Sequence, residues 1–320
     1  ERGLVKGDAI ALMCERSIET IAAMLATLRA GCVFVPIDTA LPNDRVDYML
    51  RDAGVRCIVT DVATAGRLQH LPACQNAIVV DNDELAAEPC PYAAAAEANA
   101  LIERHAQEPL LDTDPQATTG AWPTLHQSDR AYIMYTSGST GQPKGVPISH
   151  GALHCYCSAD VQVYQLQPDD RTLQFASLSF DICIEEIFPP LSIGSTVVLR
   201  PVDLSDAQIE LSDIIDRFRI TAVHLATGYW HEWVDLMKAT GKSSPASLRL
   251  MVVTGEKVSA EHYQRWQSLT RQSVLWANAY GPTETTVTAT VFLPPADWQG
   301  EVLPIGKPIP GYTAYILDSE

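Results

Sequence analysis

The stretch YTSGSTGQPKG, residues 135–145, follows directly after the apolar run 131–134 and decides how the rest of the chain is interpreted. It contains three glycines, four serine or threonine hydroxyls and one lysine. Glycines let backbone N–H groups converge on an anion, hydroxyls donate hydrogen bonds, and lysine supplies a positive charge. After a buried strand, this combination predicts a loop that binds nucleotide phosphates; the alternative is a flexible surface turn.

The spacing argues against two other nucleotide-binding loops. A Walker loop needs Gly-Lys followed by Ser or Thr, whereas Lys144 stands between Pro143 and Gly145. No G-x-G-x-x-G pattern occurs, which argues against a dinucleotide fold. The candidate phosphate-binding residues are Thr136, Ser137, Gly138, Ser139, Thr140, Gly141 and Lys144.

Composition restricts the class of protein. With 320 residues, 47% of them hydrophobic, the chain can bury a large core as one or two domains. The net charge of −17 disfavours nucleic-acid binding. The sequence has no apolar run near the ~20 residues that span a bilayer and no signal peptide. We therefore expect a cytoplasmic protein without membrane partners. The eight cysteines lack zinc-site spacing and are predicted to be reduced core residues.

Helical and extended patterns alternate along the chain. Ser17 is predicted to cap a helix that ends at Gly31, and Asn43 to open a second helix that ends at Gly54. The inward positions of the first helix are predicted to be Ile18, Ile21, Ala22, Leu25 and Leu28. Strands are predicted at 32–35, 55–59, 78–80, 131–135, 196–199, 221–225, 248–253 and 274–279, with further helices near 182–188, 208–218, 229–239 and 260–269. This alternation predicts an α/β fold with layered, mostly parallel sheets flanked by helices.

The periodic pattern breaks between residues 88 and 127, where a proline-flanked start leads into an alanine-rich patch. We predict a solvent-exposed insertion or linker there, partly helical between residues 92 and 105. It separates a first α/β portion, residues 1–87, from a motif-rich portion, residues 128–320.

Four stretches together resemble the adenylate-forming superfamily of acyl-CoA ligases, luciferases and nonribosomal peptide synthetase adenylation domains. The loop at 135–145 resembles the family's phosphate-binding signature, and LRAGCVFVPID at 28–38 is similar to its "LKAGxAYVPLD" segment. Phe180-Asp181 matches the "FD" motif, and NAYGPTE at 278–284 matches "NxYGPTE". The resemblance implies the large N-terminal body of that fold, with a small β-rich portion at its C-terminal end.

The resemblance implies ATP and Mg²⁺ as cofactors, bound by the portion 128–320. In the family, the motif tyrosine stacks on adenine and the glutamate binds Mg²⁺, roles that fall on Tyr280 and Glu284. Thr283 would hold the α-phosphate and the substrate carboxylate. The implied nucleotide-binding residues of this motif region are Gly255, Glu256, Asn278, Ala279, Tyr280, Gly281 and Thr283. The implied catalytic residues are Thr136, Lys144, Thr283 and Glu284.

Asp181 stands where the peptide-synthetase branch places an aspartate that pairs with the α-ammonium group of an amino acid. Breaking such a buried pair costs about 3–5 kcal/mol, so this residue can decide the substrate class. The other implied substrate-binding residues are Phe180, Ile182, Glu185, His224, Val252, Thr254, Ala279, Val287 and Thr288. Many family members carry tryptophan where Glu185 stands, so no substrate is carried over. Two interpretations stay open: a polar substrate side chain, cationic ones included, or a small neutral substrate beside a Glu185–His224 pair.

The resemblance therefore implies a ligase that converts an amino acid and ATP to aminoacyl-AMP and pyrophosphate. The product would be loaded onto the phosphopantetheine thiol of a peptidyl carrier domain, with other synthetase modules as partners. An acyl- or aryl-CoA ligase of the same fold and a catalytically silent adenylation-like domain are the alternatives. The family's "TGD" aspartate and lid lysine have no counterpart, since Lys307 precedes the expected hinge. We therefore expect a monomeric, truncated body that lacks the C-terminal lid and is slow at adenylation.

Overall fold

The structure, a computed structural model, describes residues 3–72, 76–80, 102–104, 122–137, 141–200, 210–271 and 273–318. The chain divides into two compact units, residues 1–152 and 153–320. Within the described ranges, each unit is built on one seven-stranded sheet. Most strand pairs are parallel and the sheets alternate with helices along the chain, which confirms the predicted α/β fold.

The sheet of the first unit has the strand order β5-β4-β3-β1-β2-β6-β7, and only the β6–β7 pair is antiparallel among its described pairs. Its strands are β1 (Ala9–Met13), β2 (Val33–Pro36), β3 (Val55–Asp61), β4 (Ala77–Val80), β5 (Ile102–Arg104), β6 (Arg130–Ser137) and β7 (Pro143–Ser149). Its helices are α1 (Ile18–Arg29), α2 (Asn43–Asp52) and α3 (Val62–Ala65). The core between sheet and helices is aliphatic, with Val35, Val46, Met49 and Ile58 buried in it.

The inward face of α1 differs from the prediction. Its buried residues are Thr20, Met24 and Thr27, whereas the predicted inward residues Ile18 and Leu25 are 72% and 42% exposed. Each buried threonine donates its hydroxyl hydrogen to a nearby backbone carbonyl, so both hydroxyls are hydrogen-bonded. The predicted start of the helix is confirmed, because the residue before Ile18 caps it through its side chain.

The sheet of the second unit has the order β14-β13-β12-β11-β10-β8-β9, with β8 to β12 parallel and the last two strands antiparallel. Its strands are β8 (Arg171–Gln174), β9 (Thr196–Leu199), β10 (Ala222–Ala226), β11 (Leu250–Thr254), β12 (Leu275–Tyr280), β13 (Thr290–Phe292) and β14 (Lys307–Pro308). The helices are α4 (His150–Val163), within which the division between the units falls, α5 (Ile182–Ser192), α6 (Leu211–Phe218), α7 (Thr227–Thr240) and α8 (Ala260–Leu269).

One face of this second sheet packs on an aromatic core. The Trp230 ring lies 5.5 Å from the Trp276 ring and 6.1 Å from the Trp266 ring, and all three side chains are buried. The core also contains Trp233, aliphatic residues of α6 and α7, and Tyr263 of α8. Because these helices cover one face, residues that alternate to the other face are available for a pocket.

Most of the predicted insertion 88–127 lies outside the described residues. Residues 102–104 form β5, which pairs in parallel with β4, so the predicted partial helix between 92 and 105 does not extend over them. The proposed domain boundaries stay predictions. The six cysteines that the structure describes are free thiols, five of them buried. In the part of the chain that is described, no helix has the length and apolar character needed to cross a membrane.

Candidate functional site

The predicted phosphate loop joins β6 and β7 of the first unit as an antiparallel hairpin. In the register of this hairpin Thr136 lies opposite Lys144, so their side chains share one face. Gly141 has a φ of +83°, a conformation that glycine adopts without strain. Gly138, Ser139 and Thr140 lie outside the described residues, and their phosphate contacts stay a prediction.

The hairpin is fixed near its loop by Tyr135. Its hydroxyl lies 2.7 Å from Asp52 Oδ2 and 3.1 Å from the Met49 carbonyl oxygen, so it ties β6 to α2. Burial raises the pKa of Tyr135, and Asp52 adds to that shift, so the phenol stays neutral. Across the hairpin, a Cβ on Gly145 would lie 3.1 Å from the side chains of Ile133 and Tyr135, so this glycine permits close approach of the two strands.

Four of the predicted pocket residues lie on one face of the second unit's sheet. His224 and Val252 are direct partners in the parallel register of β10 and β11, so their side chains share a face. Alternation along β11 and β12 adds Thr254 and Ala279 to it. The residues between them point to the aromatic core instead; these are Val223, Leu225, Met251 and Val253.

The chain turns at Gly255 where β11 ends. This residue has a φ of +96°, which glycine adopts readily. The Thr227 hydroxyl oxygen lies 3.0 Å from the Thr254 carbonyl oxygen and 3.1 Å from that of Glu256, so its one hydrogen is shared across the turn. A buried hydroxyl at the start of α7 therefore fixes the backbone of Gly255 and Glu256, which are predicted to bind the nucleotide.

The segment NAYGPTE runs from β12 into a short 3-10 turn, Thr283–Thr285. The Tyr280 ring is 50% exposed at the strand end, which suits an aromatic ring that stacks on a ligand. Asn278 Nδ2 donates to the Pro304 carbonyl oxygen at 2.8 Å, so this amide is held by the protein itself. The contacts of both residues with the nucleotide stay predictions.

After this turn the chain adopts an unusual conformation. Thr286 and Val287 have φ values of +66° and +63°, which cost β-branched residues on the order of 1–3 kcal/mol each. The segment returns beneath Gly281, where an added Cβ would lie 2.3 Å from the Val287 carbonyl oxygen. Val287 and Thr288 are thereby buried, as expected for pocket residues. The structure thus gives Gly281 a packing role.

Asp181 lies at the N-terminus of α5 and is half-buried. Burial raises the pKa of its carboxyl group above the ordinary value, the interacting Thr283 hydroxyl lowers it, and the Glu185 charge raises it again. Contact with Thr283 joins the "FD" motif to the end of the NAYGPTE motif. Phe180, beside it, is 64% exposed.

Glu284 supplies the candidate Mg²⁺ ligand. It is exposed in the 3-10 turn, with threonine on either side. Mg²⁺ keeps several water ligands and is often bound through one or two carboxylates and substrate phosphates, so a single accessible carboxylate fits it. Within the described ranges no group of three His, Cys, Asp or Glu side chains could hold a metal ion.

A buried polar cluster surrounds Glu185, in the first turn of α5. Its Oε2 lies 3.4 Å from His224 Nδ1, within ion-pair distance but without hydrogen-bond geometry. Asp160 Oδ1 accepts a 3.3 Å hydrogen bond from the Tyr156 hydroxyl, both on α4. The Tyr164 ring meets the His224 ring edge-on, with 5.9 Å between centroids. Cluster residues from α4, α5 and β10 thus adjoin the pocket face of the sheet.

The two carboxyl groups of this cluster differ in protonation. Burial raises the pKa of Asp160 well above its ordinary value, and neighbouring Glu185 adds to the shift. Burial also acts to raise the pKa of Glu185, but the His224 imidazole and the polar hydrogens nearby outweigh it, so that this pKa is lowered. Glu185 is therefore the ionised member, and Asp160 the neutral one, near pH 7.

The protein-family model described as "AMP-binding enzyme" matches residues 1–320 of the sequence. The chain belongs to the AMP-binding enzyme family. The structure is similar to the Vibrio cholerae adenylation domain AlmE in complex with glycyl-adenosine-5'-phosphate. The TM-score is 0.78 at 23% identity, over 94% of this chain and 55% of that chain. At that identity the similarity shows the fold alone.

Two relatives are more similar in sequence than AlmE is to this AMP-binding family member. The isonitrile lipopeptide synthase of Streptomyces coeruleorubidus is 35% identical over 100% of this chain and 20% of its own length. Tyrocidine synthase 2 of Brevibacillus parabrevis is 32% identical over 100% of this chain and 8% of its own length. The chain therefore spans a fifth or less of these curated relatives.

Sequence reasoning missed several residues that shape the site of this family member. Tyr156, Asp160 and Tyr164 are spaced four apart, which places them along one side of α4 and its end; this spacing of polar residues in an apolar stretch is the signal that could have identified them. Glu186 is also buried and accepts hydrogen bonds from Gln174 Nε2 at 2.9 Å and Ala176 N at 3.1 Å. It holds the segment that leads to the "FD" motif.

Proposed function

We propose that this chain is the nucleotide- and amino-acid-binding body of an adenylation domain, which activates an amino acid with ATP in nonribosomal peptide synthesis. The observation that carries the proposal is the position of Asp181. Its carboxyl group is half-buried, its described neighbours Thr283 and Glu185 supply no positive charge, and it adjoins the motif assigned to the nucleotide. An α-ammonium group would supply the missing partner.

The proposed reaction forms one bond and breaks one. An oxygen of the amino-acid carboxylate attacks the α-phosphorus of ATP, and the bond from that phosphorus to the bridging oxygen of pyrophosphate breaks. Asp181 would fix the α-ammonium group and thereby aim the carboxylate, while Thr283 would bind the reacting groups through its hydroxyl. Lys144 and the loop donors would stabilise negative charge on the phosphates. Mg²⁺ bound at Glu284 would neutralise phosphate charge.

Loading of the aminoacyl group onto the phosphopantetheine thiol of a carrier domain is part of the proposal. The names of the relatives, a lipopeptide synthase and a tyrocidine synthase, support it. A cytoplasmic location also stays a prediction. The CoA-ligase alternative leaves Asp181 without a cationic partner, and the silent-domain alternative leaves the hairpin loop and Glu284 without a function.

The test is amino-acid-dependent exchange of pyrophosphate into ATP by the complete adenylation domain that contains this chain. The panel pairs each amino acid with the acid that lacks the α-amine. We expect exchange with one or a few amino acids and none with their des-amino analogues. Exchange with the des-amino acids alone would move the protein to the CoA-ligase class. The control Asp169→Asn removes an exposed charge outside the site and should leave exchange unchanged.

A further inference from the structure

We propose that the substrate is a basic amino acid, whose side-chain ammonium group binds between Glu185 and Asp160. This inference rests on the proposed function and narrows it to a substrate class. Asp160, on α4, is then a specificity-determining residue outside the set that the family resemblance supplied. The evidence comes from the spacing along α5, from buried atoms without partners, and from the charge of the cluster.

The spacing of two acidic residues on α5 sets the length of the substrate. Asp181 and Glu185 are four residues apart, so they lie on the same side of the helix, with about 5–6 Å between Cβ atoms. Asp181 is half-buried at the helix N-terminus, and Glu185 is fully buried one turn further along. A lysine-like side chain carries its ammonium group on a four-carbon stem. When the α-ammonium group of such a substrate pairs with Asp181, its side-chain ammonium group can reach Glu185.

Several buried polar atoms of the cluster have no hydrogen bond of standard geometry among the described residues, although Glu185 interacts with Asp160, Tyr164 and His224. Besides the two ring nitrogens of His224, they belong to four residues: both Glu185 carboxylate oxygens, Asp160 Oδ2, the Tyr164 hydroxyl and the Thr288 hydroxyl. All four residues are at most 2% exposed. Buried polar atoms are nearly always hydrogen-bonded in folded proteins, and each that is not costs about 1–3 kcal/mol. An ammonium group donates three hydrogen bonds, and three of these four residues offer it carboxylate or phenol oxygens.

The charge of the cluster also favours a cation. It contains two carboxyl groups and one imidazole, and the 3.4 Å contact of Glu185 with His224 lacks hydrogen-bond geometry. A Glu185–His224 pair beside a small neutral substrate would leave the second buried carboxyl group, Asp160, without a cationic partner. A bound ammonium group would supply a positive charge to both carboxyl groups. An opposite charge nearby favours the ionised form of each.

Binding of the cation should release a proton. Without ligand, burial and Glu185 hold the pKa of Asp160 well above its ordinary value, so this carboxyl group is neutral. An adjacent ammonium group lowers that pKa and ionises it. The titratable groups that face Asp160 directly or through Glu185 are Tyr156, Cys157, Tyr164, Glu185, His224 and Asp181. The tyrosine and cysteine pKa values are raised by burial, so these groups stay neutral.

The first experiment compares matched substrates in pyrophosphate exchange by the complete adenylation domain. Ornithine and lysine carry a side-chain ammonium, arginine carries a guanidinium, and norleucine and glutamine are neutral. We expect kcat/KM for ornithine or lysine to exceed that for norleucine by about 10²-fold or more. Preference for arginine would overturn the ammonium assignment. Preference for a neutral amino acid would overturn the whole inference and leave the proposed function standing. Absence of exchange with every amino acid would overturn both.

The second experiment uses the variants Glu185→Gln and Asp160→Asn, which keep the shape of each side chain. Each should lower kcat/KM for the basic substrate by about 10²-fold, without lowering it for norleucine. Asp169→Asn is the matched control on an exposed carboxylate. Calorimetry in two buffers of different ionisation enthalpy should detect proton release on binding in wild type and none in Asp160→Asn. Equal losses of kcat/KM for basic and neutral substrates, or equal proton release by wild type and Asp160→Asn, would show that the two carboxyl groups have only a structural role.

Discussion

Replacement of Gly281 by alanine tests how the pocket segment is held. The added Cβ would lie 2.3 Å from the Val287 carbonyl oxygen and 2.8 Å from both Ala289 N and Thr288 Cα. All three atoms belong to the backbone, so no side-chain rotation relieves the contact. The segment is already constrained by its left-handed residues, and the Ala289 amide donates to the Tyr280 carbonyl at 2.9 Å. The substitution must therefore displace 287–289.

We expect Gly281→Ala to lower the free energy of unfolding by about 1–3 kcal/mol, the usual cost of overpacking. It should also raise KM for the amino acid more than KM for ATP, because Val287 and Thr288 are buried residues of the predicted amino-acid pocket, whereas the predicted phosphate loop belongs to the first unit. Urea titration followed by tryptophan fluorescence measures the first effect. Five of the six tryptophans lie in the second unit, so the signal reports mainly on it.

The matched control is Gly228→Ala, in α7. A Cβ there meets nothing within 4 Å and the residue is exposed, so helix propensity should raise the free energy of unfolding by about 0.5–1 kcal/mol. If Gly281→Ala has the same free energy of unfolding as wild type and an unchanged KM for the amino acid, the packing role of this glycine is refuted.

Three further predictions concern stability and the nucleotide site. Burial raises the pKa of Glu186 to about 7. The stability that this group contributes is therefore fully present below its pKa in the unfolded chain, about 4.3, and is lost as pH rises through 7. Glu186→Gln should remove this decline, up to about 1.4 kcal/mol per pH unit, in urea titrations across that range. Thr227→Val should raise KM for ATP by loosening the Gly255 turn, with an unfolding cost of about 0.5–1.5 kcal/mol, whereas Thr227→Ser should match wild type. Asp170→Ala should cost about 1–3 kcal/mol in thermal or urea unfolding, because it removes the buried acceptor of hydrogen bonds from Arg249 and Thr221; an effect below about 0.5 kcal/mol would contradict this.

Local sequence patterns predicted most helices and strands because each pattern depends on neighbouring residues. The cap at Ser17 and the strand at 196–199 are where the sequence places them. The apolar residues of α1 misled the prediction, since its inward face carries two threonines whose hydroxyls bond to the backbone. Periodicity records which residues are apolar, whereas the packed face depends on the neighbouring sheet.

The buried cluster could not be predicted in the same way. Asp160 and Glu185 are 25 positions apart, and His224 is 39 further along, so only the fold brings α4, α5 and β10 together. The left-handed conformation of Thr286 and Val287 also contradicts local preference, because β-branched residues disfavour positive φ. Tertiary packing beneath Gly281 imposes it.

The central claim, that Asp181 recognises an α-ammonium group, is tested most directly by binding. Calorimetry on this 320-residue chain would compare two non-hydrolysable acyl-adenylate analogues that differ only in the α-amine, for wild type and Asp181→Asn. We predict that wild type binds the amine-bearing analogue about 10²- to 10³-fold more tightly and that the variant loses this preference. Equal binding of the two analogues by wild type, or an unchanged preference in the variant, would contradict the claim.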